Sequence, residues 1–108
     1  MADAGEEQVL AVEALAFARR AETLGLDGTG VVVDERGFVT VDEWCSTGVD
    51  GVWAVGDLIA TPGLAHVAYA EAILIIKQIM GEDAVPVDYG RVPWCVYTHP
   101  EVAFVGMT

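Results

Sequence analysis

Basic residues are scarce in this chain. Its 108 residues include five of them, Arg19, Arg20, Arg36, Lys77 and Arg91, against 17 acids, for a formal net charge of −12. Nucleic-acid binding needs a basic footprint that this balance does not supply, and an anionic membrane surface would repel it. Cysteine is scarcer still. Cys45 and Cys95 stand far apart and make no metal-site spacing. They read as buried thiols in a reducing compartment, with a disulfide between them left open. No apolar run approaches the ~20 residues that a membrane span requires. The amino terminus carries acids rather than the basic-plus-apolar pattern of a signal peptide. The expectation is a cytoplasmic protein of one domain at most, with no nucleic acid, membrane or metal among its partners.

What the chain has in excess is apolar. Hydrophobic residues make up 54% of it and mean hydropathy is +0.45, high for so acidic a sequence. The acids gather in the amino-terminal third and in turns, as solvated faces do. The apolar surplus therefore reads as surface meant to face something else. Exposed apolar patches and a tendency to associate are expected.

The organising stretch is Thr47 to Asp57. Its centre, Val52-Trp53-Ala54-Val55, is a short apolar run punctuated at both ends by glycine and aspartate. Such a run reads as a strand buried on both faces of a layered α/β protein. Gly56 lets the backbone turn tightly or a ligand come close. Asp57 then stands at the carboxyl end of the strand, where ligands sit in open α/β sheets. It can accept hydrogen bonds from ligand hydroxyls there, or it can cap a turn or the following helix.

A second feature follows. Leu64 to Met80 is helical in composition and ends at Gly81. Ala68, Ala72, Ile75 and Ile79 form one apolar stripe, and Ala65, Tyr69, Ile73, Ile76 and Met80 form much of another. Glu71, Lys77 and Gln78 are nearly all its polarity past His66. A helix apolar on most faces is buried on most faces, so this one is expected between two layers. Elsewhere, Val31–Val33 and Phe38–Val41 flank the turn Asp34-Glu35-Arg36-Gly37, a hairpin signal. Trp94–Tyr97 and Val102–Val105 read as strands around Pro100-Glu101, with His99 at a solvated strand end. Residues 1–28 are ambiguous. Leu10, Ala14, Phe17, Ala21 and Leu24 recur at helical spacing, which favours a helix.

Thr47–Asp57 resembles the second flavin-contact motif of the flavoprotein disulfide reductases, Thr-x-x-x-x-Val-aromatic-Ala-Ile/Val-Gly-Asp. Leu64-Ala65-His66 with Glu71, Val87-Asp88-Tyr89, Val92-Pro93, and Val96 to Ala103 followed by Val105-Gly106 resemble lipoamide dehydrogenases in particular. The resemblance implies a piece of such an enzyme, an FAD-dependent oxidoreductase that passes electrons from dihydrolipoamide to NAD+. The alternative is a non-catalytic remnant or split-enzyme subunit that binds flavin or a partner chain. The implied fold is α/β, a fragment of an FAD/NAD(P)-binding flavoprotein (hairpin, buried strand, long apolar helix) with the first strands of an α+β dimerisation domain. The implied segments are 1–29 from the end of the NAD domain, 30–84 from the FAD domain and 85–108 from the interface domain. Under this reading Val9 to Phe17 resembles a strand, one whose sheet is missing.

The resemblance also implies roles. Gly56 and Asp57 would meet FAD, Asp57 through the ribityl hydroxyls. Leu64, Ala65 and His66 would face the flavin ring, mostly through backbone at a helix start. The family's Gly-x-Gly-x-x-Gly fingerprint and its closely spaced cysteine pair are absent from this sequence, so no catalytic residue is assigned. His66 does not inherit the role of the family's catalytic histidine, which belongs to a His-x-x-x-x-Glu arrangement. A homodimer and a dihydrolipoamide-bearing acyltransferase are the implied partners of the full-length protein.

Overall fold

The computed structural model describes residues 24–106 and, for the backbone, 8–10. Its described regular structure is four short strands and one long helix, β1 (Gln8–Leu10), β2 (Val52–Ala54), α1 (Ala65–Met80), β3 (Trp94–Val96) and β4 (Val102–Phe104), with single 3-10 turns at Gly56–Leu58 and Tyr89–Arg91.

β2 lies at the centre of the first layer. On one side it pairs in parallel with β1, in the register Gln8↔Val52, Val9↔Trp53 and Leu10↔Ala54. On the other side Ser46 bridges Trp53, and the Ala54 amide donates to the Cys45 carbonyl at 3.0 Å. Both edges of β2 are thus occupied, which unpaired backbone groups in a protein interior require. This corrects the helix favoured for the amino-terminal stretch. At residues 8–10 the chain is a strand, and it has a partner after all. A free β2 edge would leave ladder groups unpaired, and that non-local demand outweighs the local helical spacing. The rest of that helical stretch, 11–23, lies outside the described residues.

The hairpin forms around its turn. Asp34 Oδ1 accepts from the Arg36 and Phe38 amides at 2.8 and 2.9 Å, and Gly37 takes a φ of +84°. Its ladder is short: Val33 bridges Val39, and Val39 bridges Ile59 in parallel. A second aspartate builds the next loop in the same way. Asp42 Oδ1 accepts from the Trp44 and Ser46 amides, and between them Cys45 is held at φ +61°. A non-glycine residue in that region is uncommon.

α1 begins after Leu64 and ends at Gly81, whose φ of +69° and amide bonds back to Lys77 and Gln78 close the last turn. Val67, Glu71, Leu74 and Ile75 form its buried face. Leu74 and Ile75 pack with Val39, Cys45, Ala54, Val55, Leu58 and Ile59 into the core. Gln78 Nε2 donates to the Trp44 carbonyl at 3.0 Å and so ties the helix to the loop beneath it. The expected burial between two layers is corrected. Tyr69, Ile73, Ile76 and Met80, the second stripe, are 70%, 58%, 49% and 67% exposed. One layer covers α1, and nothing within the described residues covers its other side.

β3 and β4 pair antiparallel, with Trp94 opposite Phe104 and their rings stacked at 6.2 Å between centroids. Both strands are exposed throughout. Cys95 is therefore exposed, against the expectation of two buried thiols, because among the described residues this ribbon has no layer over it. Cys45 is buried, and both cysteines are free. No described helix is long and apolar enough to cross a membrane.

Candidate functional site

Three pieces of backbone meet at the end of β2. The strand runs into a single helical turn, Gly56–Leu58, then a loop through Thr61 and Gly63, then the start of α1. Gly56 has a φ of +72°, a conformation that disfavours side chains. The space is not itself tight: a Cβ built there would lie 3.6 Å from Ala68 Cβ, an ordinary contact.

Asp57 sits in this turn, half-buried. Its carboxylate turns back over the loop so closely that a Cβ on Gly63 would lie 3.1 Å from Oδ1. Asp57 thus stands beside the residue that precedes Leu64, the first cap of α1. Its carboxylate has no hydrogen-bond or ion-pair partner among the described residues. Capping does not account for it, because neither the Gly56–Leu58 turn nor α1 has a side-chain cap.

The amides of Ala65 and His66 at the start of α1 have no acceptor among the described residues, whereas those of Val67 and Ala68 bond back to the Leu64 carbonyl. Unpaired N–H groups and the helix dipole make this end attractive to negative charge, worth ~0.3–1 kcal/mol when exposed and up to ~2 when partly buried. Leu64 is half-buried, and Ala65 and His66 are exposed. The five residues singled out from the sequence, Gly56, Asp57, Leu64, Ala65 and His66, therefore fall on two adjoining pieces, the Gly56–Leu58 turn and the start of α1, which together form the candidate rim. His66 differs from the local hydrogen bonding expected of a helix-start residue. Its ring Nε2–H donates to the Pro93 carbonyl at 2.8 Å, 27 residues away.

Beneath the rim is a polar centre that spacing did not reveal. Glu71 is fully buried. Its Oε2 accepts from the Gly56 amide at 2.7 Å, and its Oε1 accepts from Thr61 Oγ1 at 2.7 Å and the Tyr89 hydroxyl at 3.0 Å. Burying a carboxylate costs several kcal/mol. Three hydrogen bonds to a charged acceptor, at about 1.5–3 kcal/mol each, offset that. The signal was its register: Glu71 shares a helix face with Val67, Leu74 and Ile75, and a polar group on a core face needs partners.

Cys45 lies next to this centre. Burial first, then the charges of Glu71 and Asp42, push its thiol from its ordinary 9.0 up to about 11, against a small opposing effect of the Tyr89 hydroxyl. The Tyr89 hydroxyl is itself raised, first by burial and then by its bond to Glu71 and that acid's charge. Neither group is set up to ionise near neutral pH. Among the described residues no cluster of His, Cys, Asp and Glu is arranged to hold a metal ion.

Residues 3–72 match the family described as Pyridine nucleotide-disulphide oxidoreductase. The chain belongs to this family. Among its curated relatives, the dihydrolipoyl dehydrogenase of Cupriavidus necator is 42% identical over 108 residues, covering 96% of this chain and 23% of that protein. The mitochondrial dihydrolipoyl dehydrogenase of Canis lupus familiaris is 39% identical, covering 97% of this chain and 21% of its own length. Among solved structures, LpdA from Mycobacterium tuberculosis shares 32% identity at a TM-score of 0.73, over 78% of this chain and 18% of that one. The HOCl-induced flavoprotein disulfide reductase RclA of Escherichia coli shares 28% at 0.72. This pyridine nucleotide-disulphide oxidoreductase chain spans about a fifth of the curated relatives it matches. The expected α/β flavoprotein fragment is borne out by the family match and the solved structures.

Proposed function

We propose that this chain contributes part of the FAD site of a dihydrolipoyl dehydrogenase, an oxidoreductase that passes electrons from dihydrolipoamide to NAD+. The observation that carries this is the Asp57 carboxylate, half-buried and without a partner among the described residues, near the amides at the start of α1 that likewise find no acceptor among them. An acceptor next to a pair of donors fits a ligand with hydroxyls at one end and an electron-rich edge at the other. FAD fits this set. Asp57 accepts hydrogen bonds from ribityl hydroxyls. The Ala65 and His66 amides, with the dipole of α1 behind them, face the edge of the flavin ring, and Leu64 borders it. Gly56 sets the turn. When bound, FAD supplies the electron-transfer chemistry, and these residues bind and orient it.

Residues 30–84 then belong to the FAD domain, 1–29 to the end of the NAD domain and 85–108 to the start of an interface domain. The full-length protein is a cytoplasmic homodimer that serves a dihydrolipoamide-bearing acyltransferase. The chain alone does not turn over dihydrolipoamide. Its two cysteines are free, one sealed in the core with a raised pKa and one on the separate β3–β4 ribbon, and neither can exchange a disulfide with its substrate in the family's way.

The exposed stripe of α1 favours a companion reading, in which further protein covers Tyr69, Ile73, Ile76 and Met80. That is either the rest of one chain or a separate subunit of a split enzyme, and a complementing reading frame beside the gene would identify the latter. The site is tested by Asp57→Ala in the full-length protein. Loss of one hydrogen bond to a charged acceptor predicts FAD binding about ten- to hundredfold weaker. Unchanged FAD retention would sink the assignment.

A further inference from the structure

We propose that Glu71 is a positioning residue for the rim: its buried carboxylate sets the Gly56–Asp57 turn and the loop after it, and Tyr89 holds that carboxylate in place. The consequence for flavin rests on the function proposed above, whereas the positioning of the turn stands on geometry alone.

Each oxygen of Glu71 is engaged, and its three donors come from three separate stretches. The Gly56 amide belongs to the turn, Thr61 Oγ1 to the loop, and the Tyr89 hydroxyl to a segment 18 residues beyond Glu71. Gly56 and Thr61 flank Asp57. The loop that carries the Asp57 carboxylate is therefore pinned before and after it by one acid, fully buried. Just past the second pin the chain folds back closely enough that a Cβ on Gly63 would lie 3.1 Å from Asp57 Oδ1.

Stability alone does not account for a carboxylate here. Replacing a buried ionic group with well-packed apolar side chains is often neutral or stabilising, and the neighbours of Glu71 on its helix face, Val67, Leu74 and Ile75, are apolar. What an apolar side chain cannot do is fix a backbone amide and two hydroxyls at defined points. A bonded carboxylate does so, which is how supporting groups hold a site's geometry.

The charge itself is dispensable to this role, and that separates positioning from electrostatics. A glutamine can accept the Gly56 N–H with its amide oxygen. Its NH2 can donate to Thr61 and Tyr89, whose hydroxyls can turn to accept. A methionine of similar length can do neither.

The test compares Glu71→Met, Glu71→Gln and Tyr89→Phe in the full-length protein. Two measurements are made: hydrogen exchange at the Gly56 amide without flavin, and FAD affinity. In E71M, Gly56 is expected to exchange about tenfold faster or more, with FAD bound about ten- to hundredfold more weakly. The amides of Leu74–Gln78 should keep their protection. E71Q should stay within about threefold of the parent in both, and Y89F should shift both in the direction of E71M by about threefold. Unchanged Gly56 exchange in E71M overturns the proposal, and so does protection lost equally along the whole of α1. If E71M does not fold, Y89F decides: no change at Gly56 overturns the proposal. Should Asp57→Ala leave FAD affinity intact while E71M still frees Gly56, the flavin assignment fails and the positioning of the turn stands.

Discussion

His66 and Pro93 are joined by a 2.8 Å hydrogen bond from the ring Nε2–H to the carbonyl oxygen. One residue stands in the first turn of α1 and the other immediately before β3. The bond ties the exposed β3–β4 ribbon to the candidate flavin rim, and it gives His66 a structural task that asks for no acid–base chemistry.

His66→Ala should therefore loosen the ribbon more than the helix. A hydrogen bond of this kind is worth about 0.5–1.5 kcal/mol net. Exchange of the Trp94–Val96 amides is expected to rise about three- to tenfold, with the middle of α1 unchanged. Equal loss at both places would show instead that His66 supports α1 itself.

The two cysteines should behave as opposites. Cys95 is exposed and Cys45 is buried with its pKa raised to about 11. A thiol reagent at pH 8 should label Cys95 promptly and Cys45 only after unfolding, since the thiolate is the reactive form. One equivalent of label in the native chain and two in denaturant is the expected count.

Stability should fall at alkaline pH. Cys45 and Tyr89 hold their protons more tightly folded than unfolded, their pKa values being raised from 9.0 and 10.0. Their contribution is complete below pH 9 and is lost as pH climbs through 9 to 11 and beyond, because the unfolded chain gives up those protons first. Urea midpoints measured across pH 7 to 11 should stay level up to about 9 and then decline. In Cys45→Ala the decline should begin about one unit later, where Tyr89 alone remains.

Gly56→Ala should destabilise through the backbone rather than through crowding. The new Cβ would sit at an ordinary 3.6 Å from Ala68, but at a φ of +72°. About 1–2 kcal/mol is expected from that conformation, read as a lower urea midpoint with an unchanged slope.

Ile73→Lys with Ile76→Lys should leave stability within about 0.5 kcal/mol of the parent, because both residues are largely solvent-exposed, at 58% and 49%. The isolated chain should associate and bind apolar dyes. The double variant should sediment closer to a monomer and bind less dye. A parent chain that is already a clean, dye-silent monomer would contradict this.

What the sequence disclosed followed from local chemistry. The Asp34–Gly37 turn, the bounds of α1 at Leu64 and Gly81, and the β2–Gly56–Asp57 corner are each written in a few adjacent residues whose side chains or φ preferences act on their own neighbourhood. What stayed hidden depends on distant partners. β1 is a strand because β2, 44 residues from it in register, has an edge to fill. Glu71 reads only as one of the few polar residues of an apolar helix until Gly56, Thr61 and Tyr89 are seen around it. Cys95 reads as buried because a lone thiol without metal-site spacing usually is, yet the layer that would cover it is not among the described residues. The left-handed Cys45 was unsignalled, since cysteine is not a residue that announces a positive φ, and Asp42 supplies the reason.

Gly56 also narrows how a ligand can be greeted at the mouth of β2. Its amide points inward to Glu71, so a visitor drawing near this corner meets no outward donor from the glycine. Polarity there is offered by Asp57 on one flank and by the amides of Ala65 and His66 on the other. On the proposed function that makes the corner a two-handed grip with a bare palm, one that would suit a flat molecule held by its edges rather than a small anion cupped at the turn.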